Sequence, residues 1–249
     1  MLRRPLLLAV ILCFSSIFSV NSHAGNFKVS PIHIYFDANE KSSLVRISNL
    51  GEEVAIQAYV LKWRQNENGD DEYEETDEIV IFPKMAQIKK GKERVIRLGY
   101  QEKKALVTEE TYRLIIEELP VKAPSGTMLR TTLRMRLPIF VSPTENIIDR
   151  SIEKVEIQDG NLFVSVKNNG NAHITVSKIR AVGLDDSGRE SFSKERSGLH
   201  ILAGSLKTYA MEWNQEDCMK TQSIKIEVQL DREVIKSTLD IDQETCTVN

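Results

Sequence analysis

The chain has 249 residues, 33 Lys+Arg against 36 Asp+Glu for a formal net charge of −3, and 41% hydrophobic residues. That length suggests one or two domains with enough apolar content for a packed core, which excludes disordered, collagen-like and low-complexity readings. The slight negative charge argues against a general nucleic-acid binder, which needs a basic surface, and the odd count of three cysteines asks for an explanation.

Along the chain, Arg3 and Arg4 precede an apolar stretch, Leu6 to Val20, and then Ser22-His23-Ala24, a small-x-Ala pattern. This predicts a secretory signal peptide over residues 1–24, cut after Ala24. The alternative, an uncleaved anchor, is disfavoured because the stretch is short for a membrane span. Cys13 lies in this segment without the small residue that precedes a lipidated cysteine, so a lipoprotein is not expected. The mature chain begins near Gly25 with 31 basic and 36 acidic residues, net −5, and is expected to be exported.

The mature chain reads as short alternating segments: Leu44–Ser48, Val54–Trp63, Ile79–Phe82, Arg94–Leu98, Tyr112–Leu119 and Leu129–Val141, then Leu162–Val166, Ile174–Val182, Thr208–Trp213, Ile224–Leu230 and Val234–Ile241. Turn signals such as Asn49-Leu50-Gly51, Asn68-Gly69-Asp70 and Asn169-Gly170-Asn171 separate them. Strand-length runs at such spacing predict an all-β chain of sandwiches, each of about 100 residues. Two fit, with a boundary near Ser142-Pro143-Thr144-Glu145, giving domains at 25–143 and 144–249. No helix-period segment is visible, and Thr108–Thr111 is expected to be a helical turn at most. Cys218 and Cys246 flank the apparent hairpin Ser223–Leu230 and Glu233–Ile241, which favours a disulfide over two free thiols in an exported protein.

Catalytic patterns are missing. Beyond the signal only His33, His173 and His200 remain, with no HExxH, paired CxxC or GxSxG, so neither a metal, a cofactor nor an enzyme is expected. The acidic run Asn66–Glu78 lacks the spacing of a calcium loop and reads as a solvated hairpin loop.

One segment does not suit a closed sandwich. Leu129–Val141 would span over about 40 Å, with Leu129, Thr131, Leu133, Met135, Leu137, Ile139 and Val141 on one face and Arg130, Thr132, Arg134, Arg136 and Pro138 on the other. Proline marks an edge strand. An apolar edge either is buried in its own domain or is offered to a partner by strand addition.

Several ordered blocks resemble the PapD-like periplasmic chaperones of the chaperone–usher pilus pathway. These are Phe36–Ser42 followed by Val45–Asn49, Phe82-Pro83-Lys84 through Gly91 and Arg94–Leu98, Glu118-Leu119-Pro120, and Leu129–Pro143 with its closing Phe140-Val141-Ser142-Pro143. The match is weaker in the second half, at Val166–Ala172 and Leu202–Ser205. The resemblance implies a boomerang of two immunoglobulin-like domains that binds pilus subunits lacking their last strand. It implies that the chaperone lends the strand called G1 and hands the subunit to an outer-membrane usher. On that reading Leu129, Thr131, Leu133 and Met135 are the plugs, while Leu137 and Ile139 belong to the chaperone's own core.

The common family pattern holds the subunit's terminal carboxylate with an Arg on the first strand and a Lys on G1, and here those positions carry His33 and Pro138. Tyr112-Arg113-Leu114 with Glu117–Pro120 instead resembles the archaic, Csu-like or spore-coat-U-associated branch. Arg113 and Arg136, with Arg134 as a third candidate, are therefore expected to anchor the carboxylate, since a guanidinium binds it bidentately. His33 reads more readily as a structural edge residue. The resemblance implies no small-molecule substrate, and leaves open a homodimer that caps the free G1 face. The competing reading is an exported two-domain adhesin or carbohydrate-binding sandwich, which would need exposed aromatics, whereas Trp63 and Trp213 both lie in strand-like runs expected in the core.

Overall fold

The computed structural model describes residues 27–102, 105–119, 132–158, 160–231, 233–242 and 246. The predicted signal segment, with Cys13, and the plug candidates Leu129 and Thr131 lie outside the described residues.

The fold is almost entirely β. The first body holds β1 (Phe27–Ser30), β2 (Ile34–Phe36), β3 (Ser42–Asn49), β4 (Val54–Gln65), β5 (Asp71–Glu75), β6 (Ile79–Phe82), β7 (Met85–Ile88), β8 (Glu93–Tyr100), β9 (Glu110–Glu118) and β10 (Arg134–Val141). They form one sheet in the order β1-β3-β8-β6 and a second in the order β2-β10-β9-β4-β5, with β7 also pairing β4. The alternation read from the sequence sets the faces: Val45 and Ile47 of β3, and Val54, Ile56 and Ala58 of β4, point into a common core with Ile96, Leu114 and Ile139.

The second body holds β11 (Arg150–Gln158), β12 (Asn161–Asn168), β13 (Ile174–Leu184), β14 (Glu190–Ser197), β15 (His200–Ile201), β16 (Leu206–Glu212), a short helix α1 (Gln215–Met219), β17 (Ser223–Leu230) and β18 (Val234–Asp240). Its sheets run β11-β12-β16 and β14-β13-β17-β18, with β15 on β13. Val164, Val176, Ile226 and Trp213 lie in its own separate core. The Cys218–Cys246 disulfide forms, with Cα atoms 5.6 Å apart, and ties α1 to the chain beyond β18.

Two buried asparagines close equivalent turns in the two bodies. Asn49 Oδ1 accepts from Gly51 N at 3.0 Å while its Nδ2 donates to Ile88 O at 2.8 Å. Asn168 Oδ1 accepts from Gly170 N at 3.0 Å while its Nδ2 donates to Ile201 O at 3.0 Å. Each side chain thereby satisfies backbone groups that burial would otherwise leave unpaired.

Three expectations change. Glu110 and Thr111 belong to β9, so Thr108–Thr111 is not a helical turn: Thr111 pairs with Phe140, and its hydroxyl donates to Trp63 O at 2.6 Å. The acidic run is not all loop, because Asp71–Glu75 pairs with Leu61–Gln65. Its side chains are all exposed, so it carries no apolar alternation to reveal it. Finally, α1 is present, although five residues are too few to show a helical period.

Candidate functional site

The ladder around β10 is asymmetric. On one side all of Arg134–Val141 pairs with β9, from Arg134↔Glu117 to Val141↔Glu110. On the other side β2 pairs only with Ile139–Val141, in parallel. Among the described residues, therefore, Arg134–Pro138 has a strand on one side only, and the proline fits there because it has no N–H to give to a second neighbour. Leu137 and Ile139 are buried in the first core, as the sequence suggested. Met135 is half-buried and packs against that same core, and Leu133 is half-buried with its carbonyl accepting from Glu118 N at 2.9 Å.

The opposite face of β10 builds a second feature. Cross-strand register puts Tyr35, Phe140, Thr111, Trp63 and Tyr73 in one row across the sheet. Trp63 is only 1% exposed, yet it is not part of the sandwich core. It sits on the outer face and packs with Phe140 and with Leu202 of the second body. The sequence expectation placed it in the core because a buried tryptophan in an alternating run looks the same whichever face is covered. Trp213 does lie in a sandwich core, that of the second body. With both tryptophans covered, the exposed aromatic groove that a sugar-binding reading needs is not built from them.

This row is where the two bodies meet. His173 stacks on Phe140 with ring centroids 3.6 Å apart and lies 5.4 Å from His200, which is 5.8 Å from His33. Glu109 accepts from His173 N at 2.9 Å and lies 2.8 Å from its Nδ1. Gln65 donates to His200 O at 3.1 Å and accepts from Leu202 N at 2.9 Å. A cavity of about 170 Å³ opens beside the row, lined by Arg113, His33, Pro138, Trp63, Asp71 and His200 among others.

The structure thus gathers Arg113, His33 and Pro138 around one cavity. The Arg113 guanidinium carbon lies 3.6 Å from the centroid of the Trp63 ring, and its Nε is buried without a hydrogen-bond partner. Burial holds its pKa below the usual arginine value, partly offset by Tyr73 and Asp71. Arg136 is exposed, with its guanidinium carbon 6.0 Å from the Tyr73 ring. Arg134 is ion-paired with Glu117 at 2.7 Å, so its charge already has a carboxylate partner. Chemically, Arg113 and Arg136 offer a carboxylate two guanidiniums next to an open strand edge. No described group of three or more His, Cys, Asp or Glu side chains is arranged to hold a metal ion.

Sequence reasoning did not single out Trp63, Tyr73, Glu109, His173 or His200 as parts of this junction. Nothing local marks them, since their partners lie far along the chain: Trp63 packs on Leu202 of the second body, and the neighbouring Gln65 bonds the same residue across 137 positions.

Residues 26–146 match the family of pili and flagellar-assembly chaperones, PapD N-terminal domain. No curated protein sequence matches the chain. Among solved structures, the chaperone–tip adhesion subunit pre-assembly complex CsuC–CsuE, from archaic chaperone–usher Csu pili of Acinetobacter baumannii, is similar with 22% identity, 74% of this chain and 90% of that chain covered, and a TM-score of 0.52. The SafA pilin in complex with the SafB chaperone of Salmonella enterica is similar with 12% identity, 87% and 97% covered, and a TM-score of 0.54. The CupB2 chaperone of Pseudomonas aeruginosa is similar with 18% identity, 86% and 99% covered, and a TM-score of 0.50. At these identities the likeness is one of fold.

Proposed function

We propose that this chain, whose residues 26–146 match the pili and flagellar-assembly chaperone family, PapD N-terminal domain, binds incomplete pilus subunits by lending them strand β10. The single observation that carries this is the half-open ladder: Arg134–Pro138 pairs with β9 on one side, and β2 joins the other side only from Ile139 onward. A subunit lacking a strand exposes its core and two sheet edges, a template for aggregation. An added strand supplies main-chain hydrogen bonds, and alternate side chains fill the gap. Of the plugs, Met135 lies in β10 and Leu129, Thr131 and Leu133 in the chain leading into it, and the half-buried state of Leu133 and Met135 leaves apolar surface for that role. The partners are pilus subunits and, after them, an outer-membrane usher, in the periplasm, with export by the 1–24 signal. The donor strand belongs to a 25–143 domain, and 144–249 forms the second. The same open edge would let two free copies cap one another.

Arg113 and Arg136, with Arg134 as the outlying third, hold the subunit's terminal carboxylate. The archaic branch is the reading these arginines favour, since His33 and Pro138 occupy the other pattern's charged positions.

The test is co-expression with a fimbrial subunit. The wild-type chain should yield a soluble complex. Leu133→Arg puts a charge on the lent face at a half-buried position and should abolish it while the variant itself stays folded. A folded Leu133→Arg protein that still keeps the subunit soluble would remove the lent-strand assignment.

A further inference from the structure

The two proposed anchor arginines are each paired with an aromatic ring, and the two rings are paired with each other. Trp63 of β4 and Tyr73 of β5 are direct cross-strand partners. Arg113 lies over Trp63 at 3.6 Å and Arg136 lies 6.0 Å from Tyr73. A guanidinium is planar and weakly hydrated, so an aromatic face both attracts it and fixes its plane. The buried Arg113 Nε makes no hydrogen bond, so the Trp63 face supports that end of the group, while a hydrogen bond with Tyr73 helps to hold the guanidinium. Trp63 is itself immobilised by Phe140 and by Leu202 of the second body. Around the pair, Asp71 lines the same cavity and accepts from the Tyr73 hydroxyl at 3.1 Å.

We infer that Trp63 and Tyr73 are positioning residues: the β4–β5 hairpin is a two-ring platform that presents Arg113 and Arg136 as an oriented pair to one terminal carboxylate. This rests on the reading of those arginines as the anchor. The rings touch no subunit. They reduce the freedom of two long side chains that would otherwise lose rotamer entropy on binding. A lysine at 113 could not exploit the indole face in this way, because its ammonium is a point charge without a plane to align.

The experiment compares affinities of the full-length mature chaperone for a fimbrial subunit with its free C-terminal carboxylate and for the same subunit amidated at that end. The ratio of the two affinities reads the anchor alone, because lost stability or lost strand pairing affects both subunit forms. Trp63→Leu and Tyr73→Leu should each lower the ratio, by roughly three- to thirty-fold for a stacked guanidinium. Trp63→Phe should retain most of it, and binding of the amidated subunit should change little in all three. Arg113→Ala is the control. If it leaves the ratio unchanged, the anchor reading itself fails. If Arg113→Ala lowers the ratio but neither leucine variant does, the platform is overturned and the anchor stands. Should Trp63→Leu not fold, Tyr73→Leu decides alone, and an unchanged ratio there overturns the platform.

Discussion

At neutral pH the His200 imidazole is held uncharged. Burial is the main cause, and His173, Arg113 and His33 add like-charge cost, while Asp231 opposes it; together they lower its pKa from 6.5 to about 4. Its Nδ1 lies 3.1 Å from Thr175 Oγ1, its ring packs near Phe140 and Trp63, and Asp71 and Lys207 line the same cavity. Because the folded pKa lies below the unfolded one, the folded state binds fewer protons between the two values. Stability is therefore fully present above about pH 6.5 and is lost as pH falls toward 4. The loss should be on the order of 2 kcal/mol once solvent screening of a partly exposed ring is allowed for. Carboxylates also protonate near the lower end of that window, so the informative comparison is with His200→Gln. Denaturant midpoints measured between pH 7 and 4 should fall less steeply in His200→Gln, and equal slopes would show that His200 does not carry the effect. At this scale the sequence revealed the types but not the neighbours: Arg113 was visible as a candidate, whereas its stacking on Trp63 was not.

At the scale of elements, β10 does two jobs with its two faces. Leu137 and Ile139 complete the first core, while Pro138 and Phe140 face the junction with the second body. This explains why the strand's apolar period was legible in the sequence while the meaning of its other face was not. Pattern missed β1, β2, β5, β7, β11, β14 and β15 for different reasons: β5 is fully exposed, β2 and β15 are only three and two residues long, and β11 carries a bulge between Ile152 and Lys154 that interrupts its alternation. The disulfide acts at this scale too. It closes a loop with a sequence separation of 28, joining α1 to the chain after β18. Loop closure of that length stabilises a fold by about 3–4 kcal/mol through the unfolded state. Cys218→Ser with Cys246→Ser should therefore lower the unfolding free energy of the second body by about that amount in urea. A change under about 1 kcal/mol would mean that core packing, not the bridge, stabilises this end.

The whole molecule is two sandwiches strapped together by the β4–β5 hairpin. Lys207 Nζ donates to Gly69 O at 2.7 Å, and Gln65 bonds both His200 and Leu202. Gly69 has φ +77°, and a Cβ there would come 2.4 Å from Leu206 O. Gly69→Ala should thus combine left-handed backbone strain of about 1 kcal/mol with displacement of the second body. Small-angle scattering should report a broader spread of inter-body distances, with each sandwich still folded by circular dichroism. An unchanged scattering profile would show that the hairpin turn does not set the relative placement of the bodies.

By itself the sequence determined that the chain is all-β and that its β10 segment bears an excess apolar face. The family resemblance, not the pattern, singled out the arginines, whereas the all-β class, the apolar face and the cysteine pair came from the residues themselves. These are local properties, written in period-2 alternation, turn residues and residue type. Only the tertiary structure decided that Trp63 covers a junction rather than a core, and that Arg113, His33 and Pro138 share one cavity. It alone decided that, among the described residues, β10 is paired on one side and open on the other over Arg134–Pro138. Those facts depend on which strands lie side by side and on what the second body covers, and pairing between residues more than a hundred positions apart leaves no periodic trace in the chain.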